Sequence, residues 1–334
     1  MKKRQIVLLC VLPLFCMGAS LFLGRYETTA AEVCRALLSV VGGGSDGVSA
    51  EVLSVVLQLR LPRIIACLLV GAGLAASGAA FQGVFKNPLV SSGLLGVSAG
   101  AGFGEALAIL LFQAVWPTYL FSFGFGILAV VLSYWVATVY KTVPTVMLVL
   151  GGTIVSSVFN ALISLLKYVA DTERQLPAIV YWLMGSVSSV SYRDFWAFIP
   201  ISAGLILLLC MGWKINVLSM GDKEARTMGV NITRDKTMVI CAAALATAGA
   251  VCLSGIVGWV GLVIPHIGRM IAGNDNRRLL PVSMSIGGAF MVLIDTVSRV
   301  VSETEIPLGI LTSLIGAPFF IFLLKKTRGG GWRG

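Results

Sequence analysis

KINVLSMGDKEARTMGVNITRDK, residues 214–236, is a charged island between two apolar runs. Five of its residues are basic (Lys214, Lys223, Arg226, Arg234, Lys236) and three are acidic (Asp222, Glu224, Asp235). Leu218, Gly221, Ala225, Met228 and Ile232 recur at steps of three or four. That spacing predicts a short helix or helix pair with one small or apolar face. Gly221 and Gly229 stand where such helices would break or end. The island is either a solvated connector between two membrane spans or a surface shaped to fit a groove on another protein.

The surrounding composition sets the class. Of 334 residues, 57% are hydrophobic and 12% charged, against about 25% charged in soluble domains. Apolar runs of about 17 residues or more recur along the chain, the length a helix needs to cross a bilayer. The alternating pattern of a membrane barrel is absent. These features predict an all-α membrane protein. The net charge of +10 marks cytoplasmic loops rather than a nucleic-acid surface. Seven cysteines and one histidine share no ligand spacing, so neither a disulfide framework nor a metal site is expected. No GxxxxGK[ST] phosphate loop occurs and no cofactor is expected.

Working outward, the patterning predicts ten spans at about 5–24, 62–85, 93–114, 119–140, 145–167, 194–213, 237–254, 259–272, 281–301 and 307–324. The basic start and long apolar run at the N-terminus read as an uncleaved first span. Loop signals stand at residues 42–47, 86–88 and 116–117, and a basic tail follows span ten. The segment 168–193 predicts a short helix that partly enters the membrane. With both termini inside, 17 of the 25 Lys and Arg fall on the cytoplasmic side and 8 outside, as the positive-inside rule requires. The island is then cytoplasmic.

Several long motifs resemble one family. LRLPRIIACLLVGAGLAASGAAFQGVFKNPLVSSGLLGVSAGAGFG (59–104), SMGDKEARTMGV (219–230), SGIVGWVGLVIPHIGRMIAGNDNRRLLP (254–281), DTVSR (295–299) and EIPLGILTSLIGAPFFIFLL (305–324) resemble permease subunits of ABC importers for iron chelates, haem and vitamin B12. The resemblance covers about residues 50–325. It implies inverted repeats formed by spans 2–5 and 7–10. It also implies a permease dimer, two cytoplasmic ATP-binding subunits and an extracytoplasmic binding protein. Gly221, Asp222, Glu224, Ala225 and Gly229 then belong to a coupling loop for the ATPase. The composition itself predicts contact with membrane lipid and no nucleic-acid partner.

Other candidate residues leave alternatives open. Arg60, Arg63 and Arg299 stand on the outer side, where basic residues are few. They either snorkel to headgroups or form a basic patch that docks an acidic binding protein. Asp295 lies one turn before Arg299 and could pair with it. Glu105, in the Gly-rich third span, has no evident partner and is a candidate for the translocation path. Ser98 and Asn160 either line that path or bond to neighbouring helices. Thr145 serves as an inner gate, which the resemblance suggests, or as a helix cap. His266 reads as structural. A proton- or ion-coupled secondary transporter built on Glu105 and Asp295 is the alternative function. A membrane-embedded enzyme lacks the convergent reactive groups it would need.

Overall fold

A computed structural model describes residues 3–40, 42, 48–112, 115–138 and 145–326. The expected loop residues 43–47, residues 141–144 between spans four and five, and the expected basic tail from 327 lie outside these. The described residues are helical, without strands. The elements are α1 (Lys3–Phe22), α2 (Ala30–Val40), α3 (Ala50–Leu53), a π-helical turn (Ser54–Arg60), α4 (Leu61–Val84), α5 (Val97–Leu111), α6 (Val115–Ala137), α7 (Thr145–Val169) and α8 (Gln175–Leu183). A 3₁₀ turn (Tyr192–Ala197) then leads into α9 (Phe198–Cys210). The remainder is α10 (Gly212–Met220), α11 (Asp222–Thr227), α12 (Ile232–Ser254), α13 (Val260–Ala272), α14 (Asn276–Val300) and α15 (Leu308–Lys326).

Ten apolar helices correspond to the ten predicted spans: six are long enough to cross a membrane and four are shorter. The shortening of α5 and α13 has a local cause. Each follows an irregular stretch, residues 85–96 and 255–259, with left-handed backbone at Gly96 and Gly255. Chain spent on these turns is chain withheld from the helix.

Besides the loop signal at 116–117, which falls in the first turn of α6 where a proline is tolerated, two elements depart from the expectation. The helix of span 2 begins at Ala50, well before Pro62, so that one apolar helix runs from Ala50 to Val84. Proline removes a helical N–H and crowds the carbonyl four residues back. The wider π turn at 54–60 absorbs that defect just ahead of Pro62. The second departure is α2, an amphipathic helix that buries Val33 and Ala36 in a segment expected to be polar loop.

Helices α4 and α12 form the centre. Their most apolar windows are 83% and 78% buried, against 33% for α6 and α7. Around them the two halves exchange partners. Helix α4 packs on α13 and α14 of the second half, and α12 packs on α5 and α6 of the first. Within the halves, α5, α6 and α7 pack on one another, as α13 and α15 do on α14 and on each other. This is the contact pattern of two inverted repeats. The backbones come close: a Cβ at Gly78 of α4 would overlap the Gly261 carbonyl of α13. Without a hydrophobic drive between helices in lipid, such small-residue contacts carry the packing.

Candidate transport sites

Three arginines converge at one end of the bundle. Arg60, Arg63 and Arg299 are only 4%, 7% and 7% exposed. Arg60 closes the π turn and donates from Nη1 to the Leu21 carbonyl (2.7 Å) and Thr28 Oγ1 (3.0 Å), and from Nη2 to the Tyr26 carbonyl (2.7 Å). Arg63, one turn into the continuing helix, donates from Nε to Asp295 Oδ1 at 2.8 Å. Its Nη1 and Nη2 grip both oxygens of Glu305 at 2.8 and 2.9 Å. Arg299 Nε reaches the other Asp295 oxygen at 3.1 Å, the one-turn pair the spacing allowed. Its Nη2 donates to Ser20 Oγ at 2.7 Å.

Within the chain, then, these guanidiniums are not free charges. Asp295 is fully buried between two of them. Every strong contact is charge-assisted or aimed at a backbone carbonyl, which is how buried ions are stabilised. Of the two carboxylate partners Glu305 is the less enclosed, with its side chain 27% exposed. Nothing in the local sequence singled it out, because its partner lies 242 residues away.

The island folds as the predicted helix pair. Helix α10 ends at Gly221, whose φ of 140° suits glycine, and α11 occupies Asp222–Thr227. Gly229, at φ 76°, turns the chain into α12, which Asn231 caps by accepting from the Arg234 N–H at 3.0 Å. Leu218, Gly221 and Ala225 are buried against the chain's own bundle, so the small face points inward. The outward face of α11 carries Asp222, Lys223, Glu224, Arg226 and, beyond it, Met228 and Gly229. Lys214 pairs with Asp235, and Lys236 lies 3.7 Å from Asp222.

A side-chain knot ties this junction to α14. Asn216 Nδ2 donates to Asp275 Oδ1 at 2.6 Å, and Asn216 Oδ1 accepts from the Asn276 N–H and Nδ2 at 2.7 and 2.8 Å. Asp275 caps α14 by accepting from the Arg277 N–H at 3.1 Å. The Arg277 side chain, then Asn216, hold the Asp275 carboxyl down to about 2. Sequence reasoning missed this knot. The Asn-Asp-Asn run at 274–276 was its only local sign.

The candidate path residues do not form one cluster. Ser98 is half-buried in the first turn of α5. Glu105, two turns on, is 5% exposed and borders a cavity of about 610 Å³ together with Thr118, Tyr119, Asp171, Arg174 and Trp182. One Glu105 oxygen, Oε2, has no hydrogen-bond partner among the described residues. Thr145 opens α7. Asn160 lies on the uncovered side of α7, in a stripe with Thr153, Ser157 and Ser164. The three hydroxyls donate back to their own helix at 2.9 Å, to Val149, Thr153 and Asn160 carbonyls. The 4-3-4 spacing of this stripe was legible in the sequence, but the stripe went unread. His266 lies on α13, and no group of three potential metal-ligating side chains occurs among the described residues.

Comparison with known proteins fits this architecture. The FecCD transport family matches residues 11–326. The molybdate import system permease protein MolB of Haemophilus influenzae is 40% identical over 93% of this chain and 92% of its own. The cobalamin import system permease protein BtuC of Halobacterium salinarum is 41% identical over 80% of this chain and 72% of its own. A solved inward-facing conformation of an ABC transporter assigned to the metal-chelate type superposes with a TM-score of 0.87 at 38% identity, covering 98% of this chain and all of that one. An exchanged pair of four-helix repeats and this extended likeness together place the chain in the FecCD transport family, as an ABC importer permease.

Proposed function

We propose that the chain is the membrane subunit of an ATP-driven importer that carries a metal-bearing ligand: an iron-siderophore, haem, a cobalamin-type corrin or a metal oxyanion. The breadth of that class follows the relatives, which are named for molybdate and cobalamin. Two copies would enclose the path, with both termini and α11 in the cytoplasm. The observation that carries this reading is the exposed charged face of α11, held rigidly to the bundle by Ala225, Lys236 and the Asn216–Asp275 knot. A rigid, outward, charged helix is suited to receive a push from a soluble ATPase subunit. Gly221 and Ala225 set its closeness to the bundle. Asp222, Glu224 and Gly229 lie on the side open to a partner.

The stripe on α7 supports a path between two copies. The three hydroxyls are satisfied by their own helix, but an amide at Asn160 on that uncovered face is costly against hydrocarbon and suited to a water-lined gap. Asn160 would line that gap, with Thr145 and Ser98 nearer the α11 end and Glu105 in the opposite half. At the far end, Arg60, Arg63 and Arg299 would dock the binding protein by exchanging partners, Glu305 being the one nearest solvent.

Copurification tests the assembly. Coexpressed ATP-binding subunits should elute with this chain, and the complex should hydrolyse ATP while the chain alone does not. Lys223→Glu combined with Arg226→Glu, both on the exposed face of α11, should release the ATPase without lowering the permease yield. Arg60→Gln, which leaves the Arg63–Asp295–Arg299 network intact, should weaken binding-protein docking at least tenfold in lipid discs, more so at low salt than at high. ATPase retention by the double variant would contradict the coupling role, and unchanged docking would contradict the arginine role.

A further inference from the structure

Beneath the α10–α11 junction lies a cavity of about 210 Å³, bordered by Gln82, Lys86, Asn87, Ser219, Arg269 and Asn276. It gathers the end of α4, the following turn, α10, the last turn of α13 and the first of α14. No carboxylate lines it, although two cationic side chains do. Two polar atoms of these lining residues are sealed from solvent and have no partner among the described residues: Arg269 Nη1 and Asn276 Oδ1. Buried polar groups are nearly always satisfied, by protein, water or ligand, so two orphans on one cavity mark the donor and the acceptor that whatever fills it must meet.

The orphans define what that ligand must be. Arg269 uses Nη2 to donate to Gln82 Oε1 at 2.5 Å, and the Gln82 amide nitrogen is committed to the Val90 carbonyl at 3.0 Å. Gln82 therefore supplies no negative charge, and Nη1 still seeks an acceptor. Lys86 is a non-glycine residue in left-handed backbone at φ 50°. Its Nζ lies beside Gly221 on the rim of the cavity, with the Glu224 carboxylate close by: a Cβ on Gly221 would stand 3.3 Å from Lys86 Nζ and would overlap Glu224 Oε2. Asn276 is 4% exposed. Its Nδ2 already donates to Asn216 Oδ1, which in turn accepts from the Asn276 N–H. That network fixes the amide orientation, so the orphan is an acceptor and needs a donor from the ligand.

We propose that this cavity binds a protonated tetrahedral oxyanion of the hydrogen phosphate or phosphate-monoester type. Arg269 and Lys86 face its charged oxygens, and its P–OH donates to Asn276 Oδ1. The cavity is a few water volumes in size, at about 30 Å³ for each water in the liquid. Sulfate carries no proton at neutral pH and would leave Asn276 unsatisfied. A bound anion would link α4, α13 and α14 directly under the coupling helices and stiffen that junction. The same chemical group occurs on free phosphate and on a monoester lipid headgroup such as phosphatidate.

The test uses the full-length chain in detergent, titrated with inorganic phosphate or sulfate at matched ionic strength and about pH 6, where both phosphate and a monoester carry a P–OH. Phosphate should bind saturably and at least fivefold more tightly than sulfate. Lys86→Gln, an exposed substitution, should weaken phosphate at least tenfold while leaving the ligand-free melting midpoint unchanged. Asn276→Asp should weaken it further by placing a carboxylate in the cavity. Lipid discs separate the sources. If phosphatidate, but not phosphatidylglycerol, blocks phosphate binding, the resident group is a lipid monoester. If neither blocks it, the ligand is free phosphate. Absence of saturable binding by phosphate and phosphatidate would overturn the proposal. So would equal affinity for sulfate and phosphate, or binding indifferent to Lys86→Gln.

Discussion

Asp295 is the residue on which the arginine end depends. It accepts from Arg63 on one oxygen and from Arg299 on the other, with no solvent access. Neutralising it leaves two buried guanidiniums short of a carboxylate, and breaking such a pair costs about 3–5 kcal/mol. Asp295→Asn should therefore lower the melting midpoint in detergent far more than Arg60→Gln, since Arg60 bonds only to carbonyls and a hydroxyl. Equal losses would mean that the network is not the stabilising feature. The sequence displayed one half of this arrangement, because Asp295 and Arg299 share a helical face at one turn's spacing. The other half needed α4 brought against α14, which no local pattern encodes. Hence the arginines looked like surface charges while folding makes them internal ones.

Elements were legible where the physics is local. Apolar runs of bilayer length located the ten spans to within about five residues, save for the start of span 2 at Ala50, and Gly221 and Gly229 marked the breaks of the island. The π turn and α2 were not legible, since an extended helix through Pro62 and an amphipathic stretch both depend on neighbours. The inward turn of Ala225 was not legible either: a small residue at helical spacing permits close approach on whichever side the bundle lies. The start of α14 gives the element-scale prediction. Asp275→Ala removes a helix cap, typically about 1 kcal/mol, together with the anchor of Asn216. Its depressed carboxyl also sets a pH window. A carboxyl lowered on folding contributes stability above its unfolded value, near 4, and loses it as pH falls toward about 2. Between those values the melting midpoint should fall more steeply in the unmodified protein than in Asp275→Asn. Parallel curves would contradict the role of this cap.

At the scale of the whole molecule, the exchanged repeats place α11 and the three arginines at opposite ends, so sidedness is the first consequence to check. In a cysteine-free background, cysteines at positions 222 and 276 should label only from the cytoplasm, and one at position 172 only from outside. Outside labelling at 222 would reverse the coupling end. The most direct test of the account is driven uptake. Proteoliposomes holding this chain, its ATP-binding subunits and its binding protein should be offered molybdate, ferric chelates, haemin and cobalamin in turn. The account predicts uptake of one of these only with internal ATP and only with the binding protein present, unaffected by a collapsed proton gradient. Uptake by the chain alone, driven by a proton gradient without ATP and abolished by Glu105→Gln, would contradict it and favour a secondary transporter.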